Sequence, residues 1–252
     1  STIDTAALHE ALLAAQYAAT QDLQHKAQFN IATSSQEVRD LVLEAFSVLD
    51  MFAFKEVGAS NYIRPESAIH YAYKLGTCEV VRLPKGCDPE DIDGEALWLD
   101  FAAASLNVRL LSFEEYGADA RAGSMFSELG GDRSETQNEG IINALQKHIG
   151  DYLDQNTVLE DFPDCRGDNY KPLRSDIKAI ILSGDPPPGS LEAVRLAIHR
   201  LSPETASLYP DSVDPASAMA AGAARRARQI WDHPEEFMVY PCPPLTLWHD
   251  EL

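Results

Sequence analysis

Ile177-Lys178-Ala179-Ile180-Ile181-Leu182 is the clearest buried strand in the chain, and it runs through Ser183-Gly184-Asp185 and three prolines to Gly189 and a helix expected over Ser190–Leu201. A buried strand followed so closely by a helix commits the chain to layers of sheet and helix. Other segments repeat the alternation. Phe29-Asn30-Ile31-Ala32 reads as a strand that ends in Thr33-Ser34-Ser35, whose hydroxyls can cap a helix over Gln36–Leu49. Ahead of it, Ala6, Leu8, Leu12, Leu13, Tyr17 and Leu23 recur on a helical period between Thr5 and His25.

Phe52–Val57 and Glu79–Leu83 read as further strands, and Pro65 opens a helix through Leu75, suited to the first turn because its missing N–H is not needed there. Ala96–Phe101 and Asn107–Ser112 are expected as two strands joined by a tight loop at Ala102-Ala103-Ala104. Ser134–Tyr152 has a helical period, Gln155–Ser175 is a weakly patterned connection, and Pro215 starts an alanine-rich helix through Trp231. The expected class is therefore α/β. The expected organisation is a first lobe over 1–112, a second lobe over 113–231 and a proline-rich tail over 232–252.

Charge narrows the partners. The 252 residues include 20 Lys plus Arg against 40 Asp plus Glu, a net −20 that repels phosphate backbones and anionic lipid. Nucleic acid is not expected, and no apolar run approaches the roughly 18 residues of a spanning helix. Cys78, Cys87, Cys165 and Cys242 form no CxxC pair and suggest neither a zinc site nor a disulfide scaffold, so free or structural thiols are the default. Cys78 and Cys87 can form one bridge in an oxidising compartment. The terminal His249-Asp250-Glu251-Leu252 matches the signal for retrieval to the endoplasmic reticulum. With no leader visible in the sequence, the cytoplasm is the expected location, and the reticulum lumen the alternative if a leader has been removed.

Five segments, taken in order, resemble motifs of one family. These are Pro65-Glu66-Ser67-Ala68-Ile69-His70-Tyr71-Ala72, Leu99 to Val108, Leu129-Gly130-Gly131-Asp132, Ile180 to Asp185, and Asp214 to Ala224. Together they are similar to the nucleotide-binding domain of the seventy-kilodalton heat-shock chaperones, in the actin-like ATPase superfamily. The resemblance spans roughly Ala27 to Arg228 and implies a ribonuclease-H-like, two-lobe fold, here truncated. It also implies a ligand cleft between the lobes, lined by Thr33, Ala102, Ala103, Ala104, Ser105, Asn107, Gly130, Gly131, Gly184 and Asp185. His70, Tyr71 and Tyr73 on one short helical stretch suit either an apolar ligand pocket with polar anchors, to which His70 and Tyr73 would contribute, or ordinary core packing.

The departures fall on the residues that would handle ATP. The family's first phosphate loop is absent. Alanines stand at 102, 103 and 104 where the family has glycines, and a Cβ at each obstructs the positive φ and close approach of a phosphate cradle. Asp100 keeps the carboxylate position beside the attacking water, but Asn107 and Arg64 replace acids that would favour a divalent ion. Asp185 and the prolines after it occupy the adenosine turn. ATP hydrolysis is therefore not expected, and neither metal nor cofactor is. The expectation is a small, largely apolar organic ligand, handled by Asp100, Arg64 and Glu66 as by a cofactor-free cyclase or isomerase. The alternative is a pseudo-ATPase that binds protein partners. Arg64 and Glu66 are expected to form an ion pair at the helix start, either in the cleft or exposed.

Overall fold

A computed structural model describes residues 31–32, 62–81, 86–88, 92–115, 117–131, 139–158, 172–187, 189–203, 208–210 and 213–233. The expected helices over Thr5–His25 and Gln36–Leu49, the strand over Phe52–Val57, and all of the tail beyond residue 233 lie outside them. The chain divides into two compact units, one of residues 1–63 with 226–252 and one of residues 64–225. In the first, β1 (Ile31–Ala32) and β2 (Tyr62–Ile63) pair in parallel.

The second unit is built on a four-stranded mixed sheet. Strands β3 (Asp93–Phe101), β4 (Leu106–Glu114) and β5 (Gly117–Phe126) form an antiparallel meander. After helix α3 (Glu139–Asn156) the chain returns as β6 (Ile177–Ser183), parallel to β3, so the order across the sheet is β5-β4-β3-β6. Helices α1 (Pro65–Tyr73) and α2 (Cys78–Val81) precede the sheet, and α4 (Ser190–Leu201) and α5 (Ala218–Asp232) follow it. The fold is thus mixed α/β, with helices on both faces. The expected lobe boundary at residue 112 lies within β4, which pairs with strands of the same sheet on either side.

The period of two along β3 explains why both faces are covered. Leu97, Leu99 and Phe101 point one way, with Leu106, Val108 and Leu110 of β4 and Ile180 and Leu182 of β6, onto Leu145 and Ile149 of α3 and Val194 and Ile198 of α4. Ala96 and Trp98 point the other way, with Leu111, Phe113 and Ile181, onto Ile69, Ala72 and Tyr73 of α1. On that second side α5 approaches α1 so closely that a Cβ on Gly222 would lie 1.7 Å from the carbonyl oxygen of Ala68. The Arg225 guanidinium bonds the carbonyl oxygens of Tyr71 and Ala72 at the end of α1.

Two local results depart from the sequence reading. The expected strand from Glu79 begins instead as helix α2, with Val80 N–H donating to Thr77 O at 3.1 Å. Cys78 and Cys87 are joined by a disulfide that holds their Cα atoms 5.9 Å apart, and a helical turn fits that short loop where an extended run, advancing about 3.3 Å per residue, would carry the ends apart. The free-thiol default is therefore corrected for these two residues. The second departure is β5, whose sequence GADARAGSMF alternates only the small Ala118, Ala120 and Ala122 with Asp119, Arg121 and Gly123, a weak apolar signal, and forms a strand through its pairing with β4.

Glu95, near the start of β3, is buried beside Arg121 at 2.8 Å, with Asp176 and Asp93 also facing it. Burial, above all, pushes its carboxyl from 4.5 up to about 7. A carboxyl raised in the folded state favours folding below its unfolded pKa, and that contribution is lost as pH rises through the folded value. Between pH 4.5 and 7 the Glu95→Gln variant should therefore gain on the native protein by on the order of 2 kcal/mol, as each pKa unit is worth about 1.4 and Arg121 is partly solvated. Urea melts of both proteins across that range check this; parallel pH profiles contradict it.

Candidate functional site

Strands β3 and β6 run parallel and finish at the same end of the sheet, and three of the singled-out segments meet there. The chain leaves Phe101 through a tight turn in which Ala102 N–H donates to Ser105 O at 2.9 Å. Gly131 N–H donates to Ala102 O at 2.9 Å, which ties the segment after β5 to this turn. Gly130 lies so close that a Cβ there would meet Ala103 O at 2.4 Å, and one on Gly131 would meet Pro187 Cδ at 2.6 Å. Gly184, after β6, has φ +105° and stands against Phe101, whose carbonyl oxygen would be 2.1 Å from an added Cβ.

The turn lacks the positive-φ residues of a glycine-lined phosphate cradle. Among the described residues Lys74 is the one non-glycine with positive φ, so Ala102, Ala103 and Ala104 avoid the left-handed region that a Cβ disfavours. The Ala102 amide is already used within the turn, and Pro186 and Pro187 cover Gly131.

A polar row crosses the sheet just before this end. Asp100 pairs in register with Asn107 of β4 and with Ser183 of β6, so the three side chains share the face that carries α1. Ser183 Oγ donates to Asp100 Oδ1 at 2.7 Å and accepts from Trp98 Nε1 at 2.8 Å. The Arg109 guanidinium lies 5.1 Å over the Trp98 ring and is paired with Glu66 of α1. A continuous chain of contacts thus runs from Glu66 through Arg109, Trp98 and Ser183 to Asp100. It holds one carboxylate oxygen of Asp100 in place, and the residue remains partly accessible.

The other sequence candidates are placed as follows. Asp185 is exposed just past Gly184. Tyr73 is buried and donates its hydroxyl to Leu182 O at 2.6 Å, and burial pushes its phenol up to about 12. His70 is buried on α1 with Nε2 3.2 Å from Glu115 O, beyond the far end of β4, so it does not join the Asp100 row. Burial lowers its imidazole to about 4 and keeps it neutral. Thr33 lies outside the described residues.

Arg64 and Glu66 do not pair with each other, which corrects the expected helix-start pair. Residues two apart do not face one another on a helix. Arg64 reaches Asp119 of β5 at 2.6 Å with both side chains exposed, whereas Glu66 turns inward to Arg109. Arg109 and the linking role of Ser183 were not singled out from the sequence. The alternation that puts Trp98 and Asp100 on one face was legible, but the cross-strand register that supplies Ser183 and Arg109 was not.

Among the described residues no group of three or more His, Cys, Asp or Glu is placed to hold a metal, and no helix is long and apolar enough to cross a membrane. The chain matches no known family model and no curated protein.

Proposed function

We propose that this chain is an ATPase-defective relative of the actin-like fold that uses the loop end of its sheet to hold a small, largely apolar organic molecule, and acts on it as a cofactor-independent cyclase or isomerase. The observation that carries this reading is the closed Ala102–Ser105 turn, joined by Gly130, Gly131 and Gly184 in the order the resemblance implies, with its amide spent and its wall made of methyl groups and proline rings. Support also comes from the charge there. Asp100 and Asp185 are both acidic, and the nearby Arg109 is already engaged by Glu66, so an anionic phosphate finds no free cation in this row.

The chemistry open to such a site is modest and specific. Apolar walls with few polar groups orient a ligand, and a fixed conformer lowers the barrier to an intramolecular rearrangement. Asp100, its carboxylate anchored by Ser183, is the group that would accept or return a proton.

The neutral probe N-phenyl-1-naphthylamine should quench Trp98 and bind with a micromolar Kd, and Ala103→Trp, which fills the wall, should abolish binding. Absence of probe binding, or binding indifferent to Ala103→Trp, overturns the proposal. A second reading, a pseudo-ATPase that docks proteins, is favoured by one feature. Met125 of β5 is 70% exposed, on the outermost strand of the described sheet.

A further inference from the structure

A cavity of about 240 Å³ lies along the outer edge of β6 and shares no lining residue with the Ala102–Ser105 turn. Its wall contains Arg195 of α4 and Asp214, which precedes α5, together with the rings of Tyr73 and Tyr209 and the apolar side chains of Leu182 and Val213. That volume falls below the roughly 300–1,000 Å³ of drug-sized sites and suits a small metabolite.

The two opposite charges on this wall do not neutralise each other. Arg64, Arg121, Arg174, Arg200 and Arg228 each reach a carboxylate at 2.5 to 2.8 Å. Arg195 differs, since its ion partner among the described residues is Glu192 at 3.8 Å, beyond hydrogen-bond reach. Its guanidinium lies 6.0 Å over the Tyr209 ring. Asp214 occupies the N-cap position of the helical turn Pro215–Ser217, yet its side chain makes no capping bond. Its backbone carbonyl is what accepts from Ser217, and its carboxylate has no hydrogen-bond or ion-pair partner among the described residues. An aspartate at an N-cap ordinarily spends its carboxylate on the first-turn amides. Here the carboxylate is left to the cavity.

Further observations place unused polarity at the same wall. The Tyr209 hydroxyl is buried without a partner among the described residues. The charges of Asp214 and Arg195 both act on the Tyr73 phenol, in opposite directions, so both stand near it. The wall is also anchored, because Gly184 N–H donates to Pro215 O at 3.2 Å and Tyr73 is fixed by its bond to Leu182 O.

We propose that this cavity binds a small amino-acid zwitterion, with Arg195 on its carboxylate, Asp214 on its ammonium and the Tyr73 and Tyr209 rings flanking its apolar part. Arginine presents a planar fork that matches a carboxylate, and an ammonium is favoured both by a carboxylate and by an aromatic face. A purely anionic ligand meets Asp214 and Glu192 as repulsive neighbours, and a purely cationic one meets Arg195.

The test is calorimetric titration of the full chain with L-leucine and with 6-aminohexanoate, whose charges are close together and far apart, respectively. One of the two should bind with a Kd below about 1 mM. Its two singly capped analogues, an amide lacking the carboxylate and an N-acetyl derivative lacking the ammonium, should each bind at least about tenfold more weakly, the scale of one charge-assisted hydrogen bond. In Arg195→Met the amide should bind as well as the zwitterion, and in Asp214→Asn the N-acetyl derivative should do so. Neither zwitterion binding at about 10 mM, capped analogues binding equally to the native protein, or indifference to both substitutions overturns the assignment. The capped analogues test it on the native chain, so the result does not depend on either variant folding. Asp100→Asn should leave this binding unchanged, which separates it from the turn at Ala102–Ser105.

Discussion

Gly184→Ala is expected to cost about 3 kcal/mol or more, because two penalties fall on one residue. The backbone there has φ +105°, which an L side chain rarely adopts, and the new Cβ would sit 2.1 Å from Phe101 O and 2.6 Å from its carbonyl carbon. The obstacle is the backbone of a fully buried strand residue, so it cannot swing aside as a flexible side chain would. Gly189 is the control. Its φ is +87° but no atom lies within 4 Å of an added Cβ, so Gly189→Ala should cost only the conformational penalty, about 1 kcal/mol. Denaturant melts of the two variants separate these contributions. Gly184→Ala should also move Ser183 off Asp100 and change Trp98 emission, since the three are bonded in series. Equal costs at the two glycines would mean that β3 and β6 do not close on each other at this end.

Arg109→Ala is expected to be the next largest, at about 2 kcal/mol, between the values for exposed and fully buried ion pairs. The Glu66 side chain is only 11% exposed and Arg109 29%, so removing the guanidinium leaves a carboxylate without its counter-charge in a poorly solvated place, and strips the cation from the Trp98 ring. The double variant Glu66→Gln/Arg109→Ala should recover part of the loss, because no charge is then stranded. Arg64→Ala provides the contrast. Its pair with Asp119 has side chains 56% and 72% exposed and should be worth less than about 1 kcal/mol. Similar losses for Arg109→Ala and Arg64→Ala would contradict the link from α1 through Trp98 to Asp100.

What could be seen in the sequence follows from the range of the interactions involved. The helix at Ser190–Leu201 and the strand at Ile177–Leu182, extended by one residue to Ser183, were legible because a period of 3.6 or a β-branched apolar run is a local signal. The β3–β4 hairpin was legible for the same reason, with apolar strands on both sides of the alanine turn. Strand β5 was not, since Gly, Ala, Asp, Arg and Ser carry little strand preference and a neighbour's edge organises them. The bridge between Cys78 and Cys87 was one of two open readings, because cysteine spacing alone does not say which state is adopted. The Arg64 and Glu66 partners were missed because both lie on strands distant in sequence. In the candidate site, Asp100, the three alanines and the glycines stand out in the sequence from motif order, whereas Ser183 and Arg109 acquire their roles only through register.

Whether the turn after β3 accepts phosphate decides the proposed function. Calorimetric titration of the full chain with Mg-ATP and with Mg-ADP, with Trp98 fluorescence followed in parallel, tests this most directly. No heat of binding and no change in Trp98 emission are expected at millimolar nucleotide, because the Ala102 amide is spent on Ser105 O and acidic Asp100 and Asp185 stand nearby. Saturable binding with a micromolar Kd, lost in Asp100→Asn or Ala103→Trp, would contradict it and return the chain to the nucleotide-driven ATPases.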